Sequence, residues 1–164
     1  MAGLIEIGEG AFFHCVALIE LEFDKLEIIG DGFTVYWGAF AGCKLRSINL
    51  PSIKTVGAYA FADCPALTEA VFGEELEGIF RNAFHNCTAL RRIVIPLKDN
   101  LTIGNNAFYK CENLSRVDTL DGEIHKTISS LHLESWRNEM EDEIDRRIAV
   151  TTYLDMVLTS SGTL

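Results

Sequence analysis

Apolar residues recur in a fixed pattern along the first 120 residues of the chain. Each unit has an Ala-Phe pair, a Cys three residues after the Phe, a Leu, and then a run of alternating apolar and polar residues. The repeated Phe residues are separated by 28, 21, 23 and 24 positions, and they are Phe12, Phe40, Phe61, Phe84 and Phe108. A period of about 20–30 residues is typical of a solenoid, because a single unit cannot bury its own apolar face.

The alternating run predicts one short β-strand in each unit, because side chains along a strand point to opposite faces in turn. Pro51 and Pro96 follow two of these runs and should end their strands, since proline has no N–H to donate. The apolar positions should share the face that packs on the core, and they are Leu21, Phe23, Ile48, Leu50, Ala70, Phe72, Ile93, Ile95 and Val117.

The residues beside these apolar positions should point away from the core and form the outer face of a sheet. They are Glu20, Glu22, Asp24, Ser47, Asn49, Glu69, Val71, Arg92, Val94, Arg116 and Asp118. The first unit is wholly acidic at these positions and bases occur only in the last two, so the gradient would orient a ligand with one basic and one acidic end. We interpret this face as the candidate surface for a protein or peptide ligand. The alternative is a solvated face whose charges have no function.

The second unit is longer than the others. Six additional residues, FTVYWG, run from Phe33 to Gly38 ahead of its Ala-Phe pair. Tyr36 and Trp37 are candidate partner-binding residues if this segment presents an exposed aromatic patch. Alternatively, the two aromatic side chains fold back over a neighbouring unit.

All five cysteines of the chain occupy the same position in the repeat, and they are Cys15, Cys43, Cys64, Cys87 and Cys111. We expect all five to be buried, reduced and structural, because a small apolar residue suits a tight turn and parallel side chains make poor disulfide partners. His85 lies near Cys87, but the other units lack this pairing as a repeated feature. We therefore expect no catalytic residues, no metal ligands and no cofactor.

The composition changes after residue 120, which predicts two regions: a solenoid of about five repeats over 1–120 and a helical tail over 121–164. Apolar residues in the tail recur at helical spacing, including Ile124, Ile128, Trp136, Met140 and Ile144. We expect these helices to cap the C-terminal end. The N-terminal end has no polar capping unit, so it should self-associate or contact further protein.

The repeated pattern AFxxCxxLxxIxIPxxIxxIGxxAF resembles the BspA-type leucine-rich repeats over residues 4 to about 120. The resemblance implies an α/β repeat fold, in which a right-handed leucine-rich-repeat solenoid carries a parallel β-sheet on one side. It also implies recognition of other macromolecules, often at microbial or protist cell surfaces. The family brings no set of catalytic residues, so this chain is not expected to be an enzyme.

The charge and hydropathy of the chain narrow the partners. The net charge of −10 over 164 residues, with no basic stripe, argues against nucleic acid. No apolar run approaches the roughly 18 residues that suggest a membrane span, and no signal peptide is visible. The sequence thus predicts a cytoplasmic, non-catalytic scaffold for protein–protein interaction. The alternative is a secreted or cell-surface BspA-like adhesin that binds a host or environmental macromolecule, if Met1 is not the natural start.

Overall fold

The computed structural model describes residues 3–32, 37–96, 98 and 100–120. This part of the chain winds into five coils, and each coil contains one two-residue strand followed by a longer one. The strands are β1 (Glu6–Ile7), β2 (Glu20–Glu22), β3 (Ile28–Ile29), β4 (Ser47–Leu50), β5 (Thr55–Val56), β6 (Glu69–Phe72), β7 (Gly78–Ile79), β8 (Arg92–Ile95), β9 (Thr102–Ile103) and β10 (Arg116–Thr119). Coil 1 contains β1 and β2, and coil 5 contains β9 and β10.

The strands form two five-stranded parallel sheets on two sides of the solenoid. The wide sheet has the order β10-β8-β6-β4-β2 and the narrow sheet the order β1-β3-β5-β7-β9. The sequence predicted the wide sheet, and β4 and β8 end directly before Pro51 and Pro96 as expected. The narrow sheet was not predicted, because a two-residue strand is too short to show alternation.

The core between the two sheets is built from rows of equivalent residues. Register in the wide sheet aligns Leu21, Ile48, Ala70, Ile93 and Val117 along one such row. The repeated Phe rings form a second row, stacked face to face with centroids 5.0 to 5.3 Å apart and interplanar angles of 2 to 11°. Each fully buried ring contributes about 1.5–3 kcal/mol by the apolar area it removes from water.

The cysteines connect neighbouring coils by hydrogen bonds. In coils 2 to 5 each thiol donates to the carbonyl oxygen of the ladder Phe in the preceding coil, at 3.0 to 3.2 Å. All five thiols are free, which agrees with the prediction, and four of them are buried. Cys15 departs from the prediction because it is only partly buried, since no described coil precedes it.

The residue before each repeat Cys adopts a left-handed backbone conformation, with φ between 54 and 73°. This conformation lets the chain turn sharply between the Phe and the Cys. It favours Gly, Asn and Asp over other residues, because a Cβ atom approaches the following carbonyl oxygen. The five positions are occupied by His14, Gly42, Asp63, Asn86 and Lys110.

The two ends of the described solenoid differ in burial. In coil 1 the core-facing residues Phe12, Leu18 and Leu21 are only partly buried, whereas Phe108 and Leu114 of coil 5 are buried. The predicted C-terminal helices fall on residues 121–164, outside the described residues, and remain a prediction. Within the described residues there is no helix.

Candidate functional site

The outer face of the wide sheet carries the side chains that the sequence assigned to partner binding. Those of the first two coils are exposed: Glu20, Glu22, Asp24, Ser47 and Asn49. Those of the later coils are less accessible, since Glu69, Val71, Arg92 and Arg116 are intermediate in exposure. The accessible part of the predicted face therefore lies over coils 1 and 2.

Two of the predicted contact residues do not present free surface. Val94 is 7 % exposed, because it lies in register between Val71 and Asp118 on the neighbouring strands. Asp118 is 4 % exposed, because two arginine side chains cover its carboxylate. Both residues belong to the outer positions of the sheet, but neither is available to a ligand as the sequence suggested.

The charged residues of coils 3 to 5 form ion pairs with one another. Arg92 contacts the carboxylate of Glu69, and its Nε lies 2.6 Å from Oδ2 of Asp118. The Nε of Arg116 lies 2.8 Å from Oδ1 of the same carboxylate. Burial would raise the pKa of Asp118, but the hydrogen bonds from Arg116 and Arg92 outweigh it and hold that pKa below its usual value. The two bases expected to attract a ligand are thus already engaged within the sheet.

The acidic residues of coil 1 have a different setting. Among the described residues, no ion pair involves Glu20, Glu22 or Asp24. They line a concave depression of about 400 Å³ on the sheet, together with Leu21, Phe23, Ser47, Asn49 and Pro51. Carboxylates in a concave surface focus a negative potential, so this depression attracts cationic groups.

The rim of the depression is fixed by a link between coils. The hydroxyl of Ser52 donates a hydrogen bond of 2.7 Å to the backbone carbonyl of Asp24. This bond ties the chain leaving β2 to the turn that follows β4. The backbone that carries the acidic residues is therefore held by the next coil.

The aromatic insertion places one described side chain on the surface. Trp37 is 56 % exposed, and its carbonyl accepts a 2.8 Å hydrogen bond from the N–H of Gly10 in coil 1. The backbone thus packs against the neighbouring coil while the indole stays accessible, so each of the two interpretations holds in part. Tyr36 lies outside the described residues.

Sequence reasoning did not identify the aromatic and basic residues that follow Trp37 along the solenoid. Tyr59 and Arg81 lie in the next two coils, and the guanidinium carbon of Arg81 is 5.8 Å from the centre of the Tyr59 ring. Phe80, beside Arg81, is 37 % exposed. We call these four residues, with Trp37, the aromatic flank. Their position two to four residues before the ladder Phe is the signal that could have found them.

The cysteine and histidine side chains offer little for nucleophilic or metal chemistry. Burial raises the pKa of the Cys43 thiol to about 12, and burial also raises the pKa of Cys87. Such thiols hold little thiolate at neutral pH, and the thiolate is the nucleophilic form. His85 stacks on Tyr109 with ring centres 5.4 Å apart. Within the described residues, no group of three or more His, Cys, Asp or Glu side chains could hold a metal ion.

Two parallel sheets, a stacked Phe row and a repeated Cys position define a leucine-rich-repeat solenoid. The family model for the BspA type leucine rich repeat region matches six copies over residues 5–135. The chain belongs to this family of repeat scaffolds. The matched region extends beyond Leu120, where the sequence pattern placed the end of about five repeats, and the predicted division at that residue stays a prediction.

Two further comparisons returned nothing comparable. Neither the curated proteins nor the solved structures contained a match to this chain. Within the described residues, no helix combines the length and the apolar character needed to cross a bilayer.

Proposed function

We propose that this chain is a non-catalytic scaffold that binds a protein or peptide ligand on the outer face of its wide sheet, over coils 1 and 2. Leucine-rich-repeat proteins typically bind other proteins, which supports the general role. The observation that carries the proposal is the depression of about 400 Å³ lined by Glu20, Glu22 and Asp24. These carboxylates are exposed and form no ion pair with the described residues.

The charge of the depression sets the chemistry of the ligand. A segment rich in Lys or Arg complements three carboxylates, and the attraction acts mainly on the rate of association. An acidic end of the ligand, which the charge gradient in the sequence suggested, has less to bind, because Arg92 and Arg116 are paired with Asp118. The proposal therefore narrows to a basic ligand.

The test uses a partner captured with the intact chain and compares two charge reversals. Glu20→Lys combined with Glu22→Lys should slow association, and raising the salt concentration should shrink the difference from the parent. Glu74→Lys combined with Glu75→Lys is the matched control, because these acids are also exposed but lie outside the wide sheet. Equal association rates for both double variants would move the binding surface elsewhere, with the aromatic flank as the next candidate.

We also propose a cytoplasmic location. Five free thiols support it, because a secreted protein is exposed to an oxidising environment in which disulfides form. The alternative is a secreted or cell-surface adhesin of the same repeat family. Imaging of the tagged chain in its native cells separates the two locations, and a signal at the cell surface would favour the adhesin.

Self-association through the N-terminal end remains a separate prediction. The partial exposure of Phe12 and Leu18 favours an apolar contact there. The like charges of Glu20 and Glu22 oppose a symmetric pairing along β2. Sedimentation of the purified chain over a range of concentrations measures whether it dimerises. The comparison with Phe12→Glu then shows whether that end is involved.

A further inference from the structure

Hydrogen bonds between coils follow one rule at the start of the wide strands. The N–H of Arg46 donates to the carbonyl of Ile19 at 3.0 Å, that of Thr68 to Arg46 at 2.8 Å, and that of Arg91 to Thr68 at 2.9 Å. The N–H of Ser115 continues the series to Arg91 at 3.1 Å. Each coil therefore donates to the coil before it, which identifies the N–H of Ile19 as the equivalent donor of coil 1.

The donor at Ile19 has no acceptor among the described residues. Within the wide sheet, β2 pairs with β4 on one side only, so its other edge carries no strand. An open edge of this kind is a template for a further strand, because its backbone groups can still pair. The same edge bears apolar surface, since Ile19 is 44 % exposed and Leu21 is only partly buried.

The charges beside this edge decide between two kinds of occupant. Glu20 and Glu22 flank Leu21 on β2, and no ion pair among the described residues neutralises them. A second copy of the chain paired symmetrically through β2 would set these acids against their counterparts, and like charges directly opposite destabilise a strand pair. A strand with Lys or Arg at the opposing positions would instead be complementary.

We propose that the open edge of β2 binds an extended peptide segment in which basic and apolar residues alternate, added as one more strand of the wide sheet. Its apolar side chains cover Leu21, its basic side chains meet Glu20 and Glu22, and its backbone accepts the hydrogen bond from Ile19. The inference rests on the proposed function in that the ligand is a protein segment. It goes further by running that segment along the edge through backbone pairing.

The first experiment separates backbone pairing from charge attraction. The probe is a fluorescent, end-capped peptide that alternates lysine and isoleucine, titrated against the 164-residue chain by anisotropy at low salt. Its control has the same side chains but carries N-methyl groups along one edge, with the other edge methylated in a second control. We expect the unmodified peptide to bind roughly tenfold more tightly than the peptide methylated on its pairing edge, since that modification blocks pairing sterically and removes donors.

Variants of the chain provide the second experiment. Ile19→Pro removes the unpaired donor of coil 1 and should weaken the peptide roughly tenfold. Its thermal unfolding should be unchanged, because that N–H has no partner to lose among the described residues. Glu20→Lys combined with Glu22→Lys should also weaken binding, whereas the control pair Glu74→Lys and Glu75→Lys should not.

The outcomes distinguish this inference from the proposed function. If both methylated peptides bind as tightly as the unmodified one, while the Glu20 and Glu22 reversal still weakens binding, the edge inference is wrong and the ligand lies across the face. If no form of the peptide binds, the edge inference is wrong, and the face is judged separately with the captured partner. A dimer of the chain that the peptide fails to dissociate would assign the edge to a second copy and overturn the inference. If Ile19→Pro fails to fold, the methylated peptides still decide.

Discussion

Lys110 occupies a backbone position that suits it poorly. Its φ is +61°, and the equivalent positions in other coils include Gly42, Asp63 and Asn86. Relief of the left-handed strain is worth about 1–2 kcal/mol, and the cation–π contact of Lys110 with Tyr109, at 5.7 Å, about 0.5–1 kcal/mol. We expect Lys110→Gly to raise the free energy of unfolding by about 0.5 kcal/mol, the smaller difference between these terms.

The matched control is Lys44→Gly, because Lys44 is exposed and its φ is not in the left-handed region. There the added flexibility of Gly in the unfolded chain should lower stability slightly. Urea unfolding of both variants measures the difference. A loss of stability in Lys110→Gly as large as that in Lys44→Gly would contradict the strain argument.

The thiols test how firmly each coil holds its Cys. Cys43, Cys64, Cys87 and Cys111 are buried and each is bonded to the preceding coil, whereas Cys15 is only partly buried. We expect a thiol reagent to modify one thiol rapidly in the native protein and all five after denaturation without reductant. The Cys15→Ser variant should lose the rapid phase. Two or more rapid thiols in the parent, or a rapid phase that persists in the variant, would contradict this assignment.

At this scale the sequence predicted positions better than interactions. The register of the cysteines with the Phe residues predicted free, packed thiols, because spacing reports which residues share a row. The bond from Cys87 to the carbonyl of Phe61 could not be predicted, since spacing carries no hydrogen-bond direction. Val94 and Asp118 fall on the outer face by alternation, yet neighbouring strands and arginine side chains bury them, which alternation does not report.

Between elements, Asp118 joins β8 to β10 through its bonds with Arg92 and Arg116. We expect Asp118→Asn to lower the free energy of unfolding at neutral pH by about 1–2 kcal/mol, because two guanidinium groups lose their charged partner. The pKa of Asp118 is lower in the folded protein than its ordinary value of 3.8. Its contribution is therefore fully present above pH 3.8 and is lost as the pH falls through the lowered value.

The pH series measures this directly. The stability difference between parent and Asp118→Asn should stay constant from neutral pH down to the ordinary carboxyl pKa and shrink below it. Asp24→Asn is the control, since Asp24 is exposed and has no ion pair among the described residues. A difference that grows on acidification would mean that Asp118 destabilises the fold when charged.

The elements divide by length into those that could and could not be predicted. Runs of four residues such as β4 and β6 show one full alternation, so their existence and their inner face followed from the sequence. Two-residue strands such as β5 have no period to detect, and only their parallel neighbours define them. The ion pairs of the wide sheet depend on which strands become neighbours, so they required the structure.

For the whole molecule, the solenoid predicts a gradient of stability along its axis. Each coil contacts only its neighbours, so a coil with one neighbour is held less firmly than a coil with two. Coil 1 has one neighbour among the described residues, and its ring Phe12 stacks only on Phe40, whereas Phe61 stacks on both Phe40 and Phe84. Local opening should therefore be most frequent at coil 1.

Amide hydrogen exchange measured by mass spectrometry tests this gradient. We expect backbone amides of β2 to exchange faster than those of β6, since β6 is paired with β4 and β8. Phe12→Ala should speed exchange in β2 and leave β6 unchanged, because the loss is confined to the end coil. Phe61→Ala should speed exchange in β4, β6 and β8 together, because truncating a buried ring costs about 3–5 kcal/mol and weakens both of its interfaces. Uniform exchange across the sheet, or a Phe12→Ala effect that reaches β6, would show that the coils unfold as one unit and that the end is not a separate, weaker element.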